Sequence, residues 1–273
     1  MTTEEQKKNI ELENKKITNN IHRIKHRIVV FSGKGGVGKT TVSVNLAYGL
    51  QIQGNKTGIL DADITEPDVP KMTGVFENLR IRENKIFPQV KNGVNIVSMA
   101  NLLSPDQAVI WRGPMRSKVL NQFLGDVEWG NLDYLIADLP PGTGDEILTM
   151  TQKMEPDMAI IVTTPQELSL IDSARAINMA QKMEIPKITL IENMSGFICP
   201  RCNHRIDLFG SGGGKKQAEK MNITYLGAIP INPEVRKLAD KGKPIIVENQ
   251  EADISDSIFK IVKEVERIIH ENK

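Results

Sequence analysis

A glycine-rich segment near the N-terminus carries the residue types best suited to chemistry. Residues 33–40 read GKGGVGKT, fit the pattern G-x-x-x-x-G-K-S/T, and lie between an apolar run and a helical stretch. Backbone N–H groups in such a loop wrap phosphate oxygens, and the helix N-terminus favours an anion. We expect Lys39 to place charge on the terminal phosphates and the Thr40 hydroxyl to ligate Mg²⁺. The residues predicted to contact a nucleotide are Gly33, Lys34, Gly35, Gly36, Val37, Gly38, Lys39, Thr40 and Thr41.

Carboxylates at the ends of two apolar runs could complete a nucleotide hydrolase. Asp138 ends the run that starts at Tyr134, and the Pro- and Gly-rich turn after it resembles a loop that senses a γ-phosphate. Asp61 and Asp63 follow another apolar run. Because ligands of open α/β sheets bind beyond the carboxyl ends of strands, Asp63 is predicted to orient the attacking water, with Asp61 in support. A single Asp at such a place is otherwise a helix cap or turn residue.

Two further segments leave alternatives open. Lys34 lies inside the loop, either as a solvated side chain or as a lysine that reaches phosphates across a dimer interface. A second glycine run at residues 210–216 lacks a preceding strand and a following Ser or Thr. We interpret that run as a turn that enters a helix and not as a second nucleotide site.

The chain has two cysteines, Cys199 and Cys202, in a C-x-x-C pair flanked by Pro, Asn and Gly. A redox pair usually opens a helix near a βαβ unit, whereas this pair lies late in a long loop. Structural zinc and iron–sulfur clusters both typically need four ligands. Even with the nearby His204, one chain is a ligand short, and a symmetric dimer would complete a four-cysteine site. Spacing alone does not separate zinc from an iron–sulfur cluster.

The elements that must position these residues alternate along the chain. The predicted strands are Ile28–Ser32, Thr57–Asp61, Val94–Met99, Tyr134–Asp138, Met158–Thr163, Lys187–Glu192, Ile223–Ile229 and Pro244–Val247. Most are continuous apolar runs, typical of strands buried on both faces. The predicted helices include Thr41–Gln53, Glu167–Glu184, Pro233–Lys241 and Ile254–Ile269. This alternation predicts an α/β fold with a mainly parallel twisted sheet and helices on both faces, formed by residues 28–273 as one domain.

Residues 1–27 are polar, with isoleucines at positions 10, 17, 21 and 24 that suit one face of a helix. We expect a solvated or loosely docked helical arm; the alternative is an arm that packs on a partner subunit. The acidic residues in this segment argue against a transit peptide, and no apolar core of a secretory signal is present. A cytoplasmic location is therefore the default expectation.

Length and composition exclude several classes of protein. The 273 residues suffice for one large domain, and the 40% hydrophobic and 25% charged fractions are ordinary for a globular protein. With 35 Lys and Arg against 34 Asp and Glu, the net charge of +1 gives no electrostatic case for nucleic-acid or membrane binding. Two cysteines cannot build a disulfide framework.

Several motifs together resemble a known family. The loop with its extra Lys34 is similar to the deviant Walker A motif of MinD/ParA-type P-loop ATPases. Four further stretches resemble the Mrp/Nbp/ApbC family of iron–sulfur cluster carrier ATPases: DADITEPDVPKMTG (61–74), WRGPM (111–115), WGNLDYLIADLPPGTGDEILT (129–149) and the C-x-x-C loop, about residues 194–214. The resemblance covers about residues 28–247.

This resemblance implies a homodimer that binds and hydrolyses ATP and holds a 4Fe–4S cluster between Cys199 and Cys202 of both subunits. The cluster would then pass to apo-proteins. It implies that Lys34 and Asp63 act at a dimeric nucleotide site and that Asn193 reads the adenine. Some members carry an N-terminal cysteine motif; residues 1–27 contain no cysteine, so we expect a minimal form.

Two alternatives to the carrier hypothesis come from other classes. One is a MinD/ParA-like positioning ATPase that binds a membrane or DNA. The helix near Ile254–Ile269 mixes acidic and basic residues and does not look like a basic interfacial helix. The other is an ATPase interaction module in which the four-cysteine site holds structural zinc.

Overall fold

A mostly parallel sheet lies at the centre of the computed structural model, which describes residues 3–102, 113–199 and 201–271. The strands are β1 (Ile24–Phe31), β2 (Thr57–Asp61), β3 (Arg80–Arg82), β4 (Lys85–Phe87), β5 (Gln89–Lys91), β6 (Val94–Ser98), β7 (Leu132–Asp138), β8 (Met158–Thr163), β9 (Lys187–Ile198), β10 (Arg205–Ile206) and β11 (Thr224–Ile231). The helices are α1 (Thr3–Ile21), α2 (Lys39–Ile52), α3 (Val69–Thr73), α4 (Gly113–Gly125), α5 (Asp145–Met154), α6 (Glu167–Lys182), α7 (Gly213–Lys220), α8 (Pro233–Ala239), α9 (Ile245–Glu248) and α10 (Asp253–His270). Within the WRGPM motif, residues 111 and 112 lie outside the described part.

The strand order across the main sheet is β11-β9-β8-β1-β7-β2-β6-β5, and all neighbours except β6 and β5 run parallel. The short β10 pairs antiparallel with the end of β9, and β3 and β4 form a separate hairpin. The predicted α/β fold with a mainly parallel sheet is confirmed. Parallel register brings the carboxyl ends of β1, β2, β7, β8 and β9 to one edge of the sheet, which is where this topology places ligands.

Helices cover both faces of the sheet, so two apolar cores form. One core joins the sheet to α1, α4, α5 and α6, and the other joins it to α2, α9 and α10. All six residues of β8 are buried, because that strand packs on both cores. This double burial explains the continuous apolar runs in the sequence. None of the described helices is both long enough and apolar enough to cross a membrane.

The N-terminal segment is helical, as its isoleucine spacing predicts, and it docks on its own chain. Ile17 and Ile21 are buried against α4 and α5, whereas Ile10 is exposed. The Asn20 side chain donates hydrogen bonds to the carbonyl oxygens of residues 124 and 127. Strand β1 begins at Ile24, so the expected boundary between residues 27 and 28 falls inside this strand.

The strand predicted at Pro244–Val247 is wrong: the segment forms the single-turn helix α9. Its apolar run was too short to distinguish a strand from a buried helical turn. Ile245 and Ile246 are buried beside α2, and the backbone N–H of Ile246 donates to the Asn45 side chain. The Asn45 side chain thus accepts the hydrogen bond that the backbone of a neighbouring strand would accept if this segment were itself a strand.

Candidate nucleotide and metal site

The segment between β1 and α2, residues 33–40, forms the phosphate loop. Gly36 and Gly38 adopt positive φ angles of 76° and 81°, which side chains with a Cβ disfavour. A Cβ at Gly35 or Gly36 would meet nothing within 4 Å, so the loop opens on one side. The loop leads directly into the N-terminus of α2 at Lys39, where backbone N–H groups and the helix dipole favour phosphate.

Strand β9 brings Asn193 against this loop. The Asn193 side-chain nitrogen donates to the Val37 carbonyl oxygen at 2.8 Å, and a Cβ at Gly38 would lie 2.2 Å from that nitrogen. Asn193, Gly38 and Thr41 line a largely apolar cavity of about 350 Å³. An apolar cavity with a few placed polar groups suits a flat heterocyclic base. The adenine-reading role of Asn193 stays a prediction.

Asp138, at the end of β7, is the hub of the charged network. It accepts hydrogen bonds from the Lys39 Nζ at 2.7 Å, the Thr40 hydroxyl at 2.7 Å and the Ser43 hydroxyl at 2.6 Å. The Lys39 side chain is 7% exposed and that of Asp138 is 1% exposed. A buried pair of opposite charges is tolerated because each charge is paired and hydrogen-bonded.

These oxygens fit a hard divalent cation. The Asp138 carboxylate and the Thr40 hydroxyl meet at 2.7 Å beside the open side of the loop, and Mg²⁺ prefers carboxylate, hydroxyl and phosphate oxygens. Sequence reasoning missed Ser43, which grips the other carboxylate oxygen. Its position four residues after Lys39 places both on one helix face, and this spacing was the available signal.

Asp61 lies beside Asp138 because β2 and β7 pair in register at these two residues. Its carboxylate accepts hydrogen bonds from the Ser98 hydroxyl and from the backbone N–H groups of Asp63 and Val69. Complete burial, and then the charge of Asp138, raise the pKa of Asp61 well above its ordinary value. Asp61 thus braces the start of the loop that carries Asp63.

Asp63 itself acts as a turn residue. Its carboxylate accepts hydrogen bonds from the backbone N–H groups of Thr65 and Glu66 at 3.2 and 3.1 Å. A cavity of about 270 Å³ separates this turn from the residues that follow Asp138, with Pro140, Gly144 and Glu146 on the far side. The loops that follow Asp63 and Asp138 thus flank one cavity. The water-orienting role of Asp63 stays a prediction.

Lys34 is half-buried at the entrance of the loop. Within the described residues its side chain makes no hydrogen bond or ion pair, while its carbonyl oxygen accepts from the Ser32 hydroxyl. Neighbouring Gly33 lies so close to α6 that a Cβ would come within 2.2 Å of the Asp172 backbone. The Lys34 ammonium is thereby available to an anion outside its own chain.

The two cysteines sit at the tip of a β-hairpin, residues 197–206, which we call the cysteine hairpin. The backbone N–H of Cys199 donates to the His204 carbonyl oxygen, and the N–H of Asn203 donates to the Cys199 carbonyl oxygen. Both thiols are free, and Cys202 is exposed. Hydrogen bonds from the backbone N–H groups of Arg201 and Cys202 and from the Cys202 side chain lower the pKa of the Cys199 thiol. A lowered pKa favours thiolate, the form that ligates metals.

The described part of the chain supplies fewer than four metal ligands around these thiols. Among the residues that the structure describes, no group of three or more His, Cys, Asp and Glu side chains could hold a metal ion. Tetrahedral zinc sites and iron–sulfur clusters usually take four protein ligands. The ligand shortage expected from the two-cysteine count thus persists in the folded chain.

Comparisons with known proteins agree with this geometry. A family model described as ParA, NUBPL iron-transfer P-loop NTPase, matches residues 23–266. An iron-sulfur cluster carrier protein of Methanocaldococcus jannaschii is 49% identical over 97% of this chain and 92% of that protein. Another from Haemophilus influenzae is 42% identical over 89% of this chain and 66% of that protein.

Solved structures show the same fold. A nucleotide-binding protein of Archaeoglobus fulgidus in complex with ADP is 38% identical, with a TM-score of 0.77 over 88% of this chain and 94% of that one. The septum site-determining protein MinD of Pyrococcus horikoshii, complexed with Mg-ADP, gives a TM-score of 0.65 at 23% identity, over 90% and 97% of the two chains, and supports the fold alone. The resemblance inferred from the motifs is confirmed: the chain is a P-loop ATPase that belongs to the ParA family of NUBPL-type iron-transfer P-loop NTPases.

Proposed function

We propose that two copies of this chain form an ATP-dependent carrier that holds one 4Fe–4S cluster between them and transfers it to apo-proteins. The observation that carries the proposal is a pair of free thiols, Cys199 partly exposed and Cys202 exposed, in a chain whose phosphate loop has its Lys39 paired with Asp138. The relatives called iron-sulfur cluster carrier proteins align over nearly the whole chain, which supports the same cargo here.

The cysteine hairpin suits a shared cluster. Cys199 and Cys202 supply two thiolates, and a symmetric second copy supplies two more, which completes a four-thiolate site. Backbone N–H groups that point at the Cys199 sulfur stabilise its negative charge, as they would in a cluster ligand. Because the thiols are at the surface, a bound cluster remains accessible to a recipient protein.

Exposed apolar side chains support a homodimer through this face. On and beside the cysteine hairpin, Ile198, Ile206, Leu208 and Phe209 are each at least 40% exposed, and Leu168 at the start of α6 is 72% exposed. Large apolar side chains that cluster at a surface typically mark a protein interface. A second copy docked there would bring Lys34 of each subunit toward the nucleotide of the other.

The nucleotide site would work through the residues already placed. Lys39 and the N–H groups of the phosphate loop hold the phosphates, and Asn193 reads the base. Thr40 and Asp138 would hold Mg²⁺, which when bound neutralises phosphate charge. Asp63 would orient the attacking water, while Lys34 contributes charge from the other subunit. Nucleotide binding would shift the loops after Asp63 and Asp138 and alter how the cysteine hairpin holds its cargo.

The partners follow from the surface and the charge. We assign the carrier to the cytoplasm, with apo iron–sulfur proteins as recipients and without nucleic acid or membrane as partners. The balanced charge of +1 supports this assignment, because DNA and anionic lipids attract strongly basic surfaces.

Anaerobic reconstitution with iron and sulfide tests the proposal. The wild-type dimer should bind about four iron and four sulfide per two chains. A variant with Cys199→Ala and Cys202→Ala should bind neither while it still binds ADP, and Ser211→Ala near the hairpin serves as the control. Stoichiometric zinc without sulfide in anaerobically purified protein would instead show a structural zinc site. A stable cluster in the double variant would disprove the ligand assignment.

A further inference from the structure

Strand β9 changes direction between the nucleotide site and the cysteine hairpin. Its pairing with β8 ends at Glu192, and its register with β11 shifts after Asn193. Met194 and Gly196 then adopt positive φ angles of 57° and 77°. A non-glycine residue in this region signals backbone held by its surroundings. Glu192 and Asn193 are therefore the last residues before β9 becomes irregular on its way to the cysteine hairpin.

These two neighbours point to opposite faces of the sheet, as successive residues of a strand do. Asn193 reaches the phosphate loop, where it donates to the Val37 carbonyl oxygen. Glu192 reaches the other side, where the chain returns from the hairpin. One dipeptide thus contacts the phosphate loop and the segment that returns from the cysteine hairpin, each through its own side chain.

The Glu192 carboxylate is fully buried and is held by three donors. One oxygen accepts from the Ser195 hydroxyl at 2.6 Å and from the backbone N–H of Gly212 at 2.8 Å. The other oxygen accepts from the backbone N–H of Gly214 at 2.5 Å. Charge-assisted bonds of this kind are stronger than bonds between neutral groups.

The glycine run at residues 210–216 makes this contact possible. A Cβ at Gly214 would lie 3.1 Å from both the Cβ and the carboxylate of Glu192, and 2.9 Å from Leu190. Gly212 has a φ of 76° and precedes α7 as its N-cap. The N-terminus of α7 therefore receives a carboxylate from its own chain, so this glycine run serves an internal anion instead of a phosphate.

The segment between these contacts contains the cysteines. It follows Asn193 through the irregular end of β9, contains Cys199 and Cys202, and returns to Glu192 at Gly212. Inside the segment, Asp207 accepts bonds from the Arg205 guanidinium and the Ser211 hydroxyl. Both ends of a closed loop are fixed to adjacent residues of one strand, so a displacement of that strand moves the whole loop.

We propose that Glu192 is a positioning residue that couples the phosphate loop to the cysteine hairpin. Nucleotide bound at the phosphate loop moves Asn193 through Val37, and Glu192 transmits that displacement to the returning segment. This coupling rests on the proposed carrier function and extends it, because nucleotide bound at the phosphate loop would then alter the loop that holds the cluster. A coupling of this kind needs two conformations of the protein that differ both in their affinity for nucleotide and in the position of the cysteine hairpin.

Hydrogen exchange on the metal-free full-length protein tests the coupling directly. The rate for residues 207–214 is measured with and without saturating ADP in the wild type and in Glu192→Gln. The Gln side chain keeps the shape but places an amide N–H₂ group against backbone donors. Typical allosteric couplings are about 5–150-fold, so ADP should change the wild-type rate at least about fivefold and the variant rate less than about twofold.

Two matched variants separate coupling from general damage. Glu219→Gln makes the same exchange on the exposed side of α7 and should keep the wild-type response. Ser195→Ala removes only the hydroxyl donor and should keep most of it. ADP affinity of Glu192→Gln should stay close to that of the wild type, because the Glu192 side chain lies on the sheet face opposite to the one from which Asn193 contacts the phosphate loop. If that variant loses ADP binding, the shorter Glu192→Asp takes its place, with the same weakened response expected.

The outcomes are independent of the proposed cargo, because no metal is present. An undiminished ADP response in Glu192→Gln overturns the coupling, as does a wild-type protein whose residues 207–214 ignore ADP. A wild type that responds to ADP but binds no cluster would leave the coupling standing and would instead remove the carrier function.

Discussion

The phosphate loop and the cysteine hairpin lie at the same edge of one sheet, but the paired charges are buried beside the first and exposed at the second. The phosphate loop buries a lysine and an aspartate and pairs them at 2.7 Å. The cysteine hairpin leaves Cys202 exposed and pairs Arg205 with Asp207 at the surface. Under the proposed function this difference is expected, because one chain supplies most of the nucleotide site, whereas the cluster site needs two thiols from a second chain.

This difference in burial suits two kinds of ligand, a nucleotide at the phosphate loop and the proposed cluster at the cysteine hairpin. Asp138 and Lys39 pair with each other inside the chain. Under the proposed function, a cluster shared between two chains would instead bind at the surface, where Cys202 is exposed and hydrogen bonds lower the pKa of the Cys199 thiol.

Replacement of Lys39 by alanine should give the largest effect on the phosphate-loop side. The variant loses the charge that would stabilise transferring phosphate, and it leaves the buried Asp138 carboxylate without its cation. Loss of one preorganised electrostatic group typically costs about 100–1,000-fold, so ATP turnover should fall at least about 100-fold. Phosphate release under saturating ATP measures it.

Lys85→Ala is the control, because Lys85 pairs with Glu128 at the surface on a distant hairpin. It should hydrolyse ATP at the wild-type rate. Circular dichroism checks that Lys39→Ala is folded. Unchanged turnover in a folded Lys39→Ala protein would break the comparison, since the phosphate loop would then not depend on its buried pair.

The sequence predicted the phosphate loop well because its chemistry is contiguous. Eight successive residues define it, and Asp138 and Asp61 could be placed beside it from the strand-end rule alone. Glu192 ends the predicted strand Lys187–Glu192 but was given no role, because its partners at Gly212 and Gly214 are about twenty residues away. Long-range hydrogen bonds leave no local pattern.

The cysteine hairpin was predictable only in part for the same reason. The C-x-x-C spacing identified the ligands, but the hydrogen bonds that fold the hairpin tip and lower the Cys199 pKa depend on backbone geometry. Short apolar runs were ambiguous as well: Pro244–Val247 was predicted as a strand and forms helix α9. The isoleucine spacing predicted helix α1 but not its docking on α4 and α5.

We expect an effect of intermediate size on the pH dependence of the free energy of unfolding, at Asp61 beside the phosphate loop. Burial and the charge of Asp138 raise the pKa of Asp61 in the folded protein above its unfolded value. The folded state therefore binds the Asp61 proton more tightly than the unfolded state does. The resulting stabilisation is fully present below the unfolded pKa of Asp61 and is lost as pH rises through its folded pKa. The loss is at most about 1.4 kcal/mol per pH unit.

Asp61→Asn removes the titrating group, so its stability relative to the wild type should improve as pH rises. Urea unfolding at about pH 4.5, 6 and 7.5 measures the difference in free energy of unfolding. Asp256→Asn, on the exposed face of α10, should show a flat difference over the same range. A flat difference for Asp61→Asn would mean that the carboxyl is not held protonated beside Asp138.

Arg205→Ala on the cysteine hairpin should give the smallest effect. The Arg205 and Asp207 side chains are 56% and 45% exposed, so water replaces the lost partner. Exposed ion pairs contribute about 0.2–1 kcal/mol, whereas removal of one partner of a buried pair costs about 3–5 kcal/mol. Urea unfolding should therefore show a loss below about 1 kcal/mol for Arg205→Ala and a several-fold larger loss for Lys39→Ala. Equal losses would contradict the view that the buried pair beside the phosphate loop braces its site more strongly than the exposed pair at the cysteine hairpin.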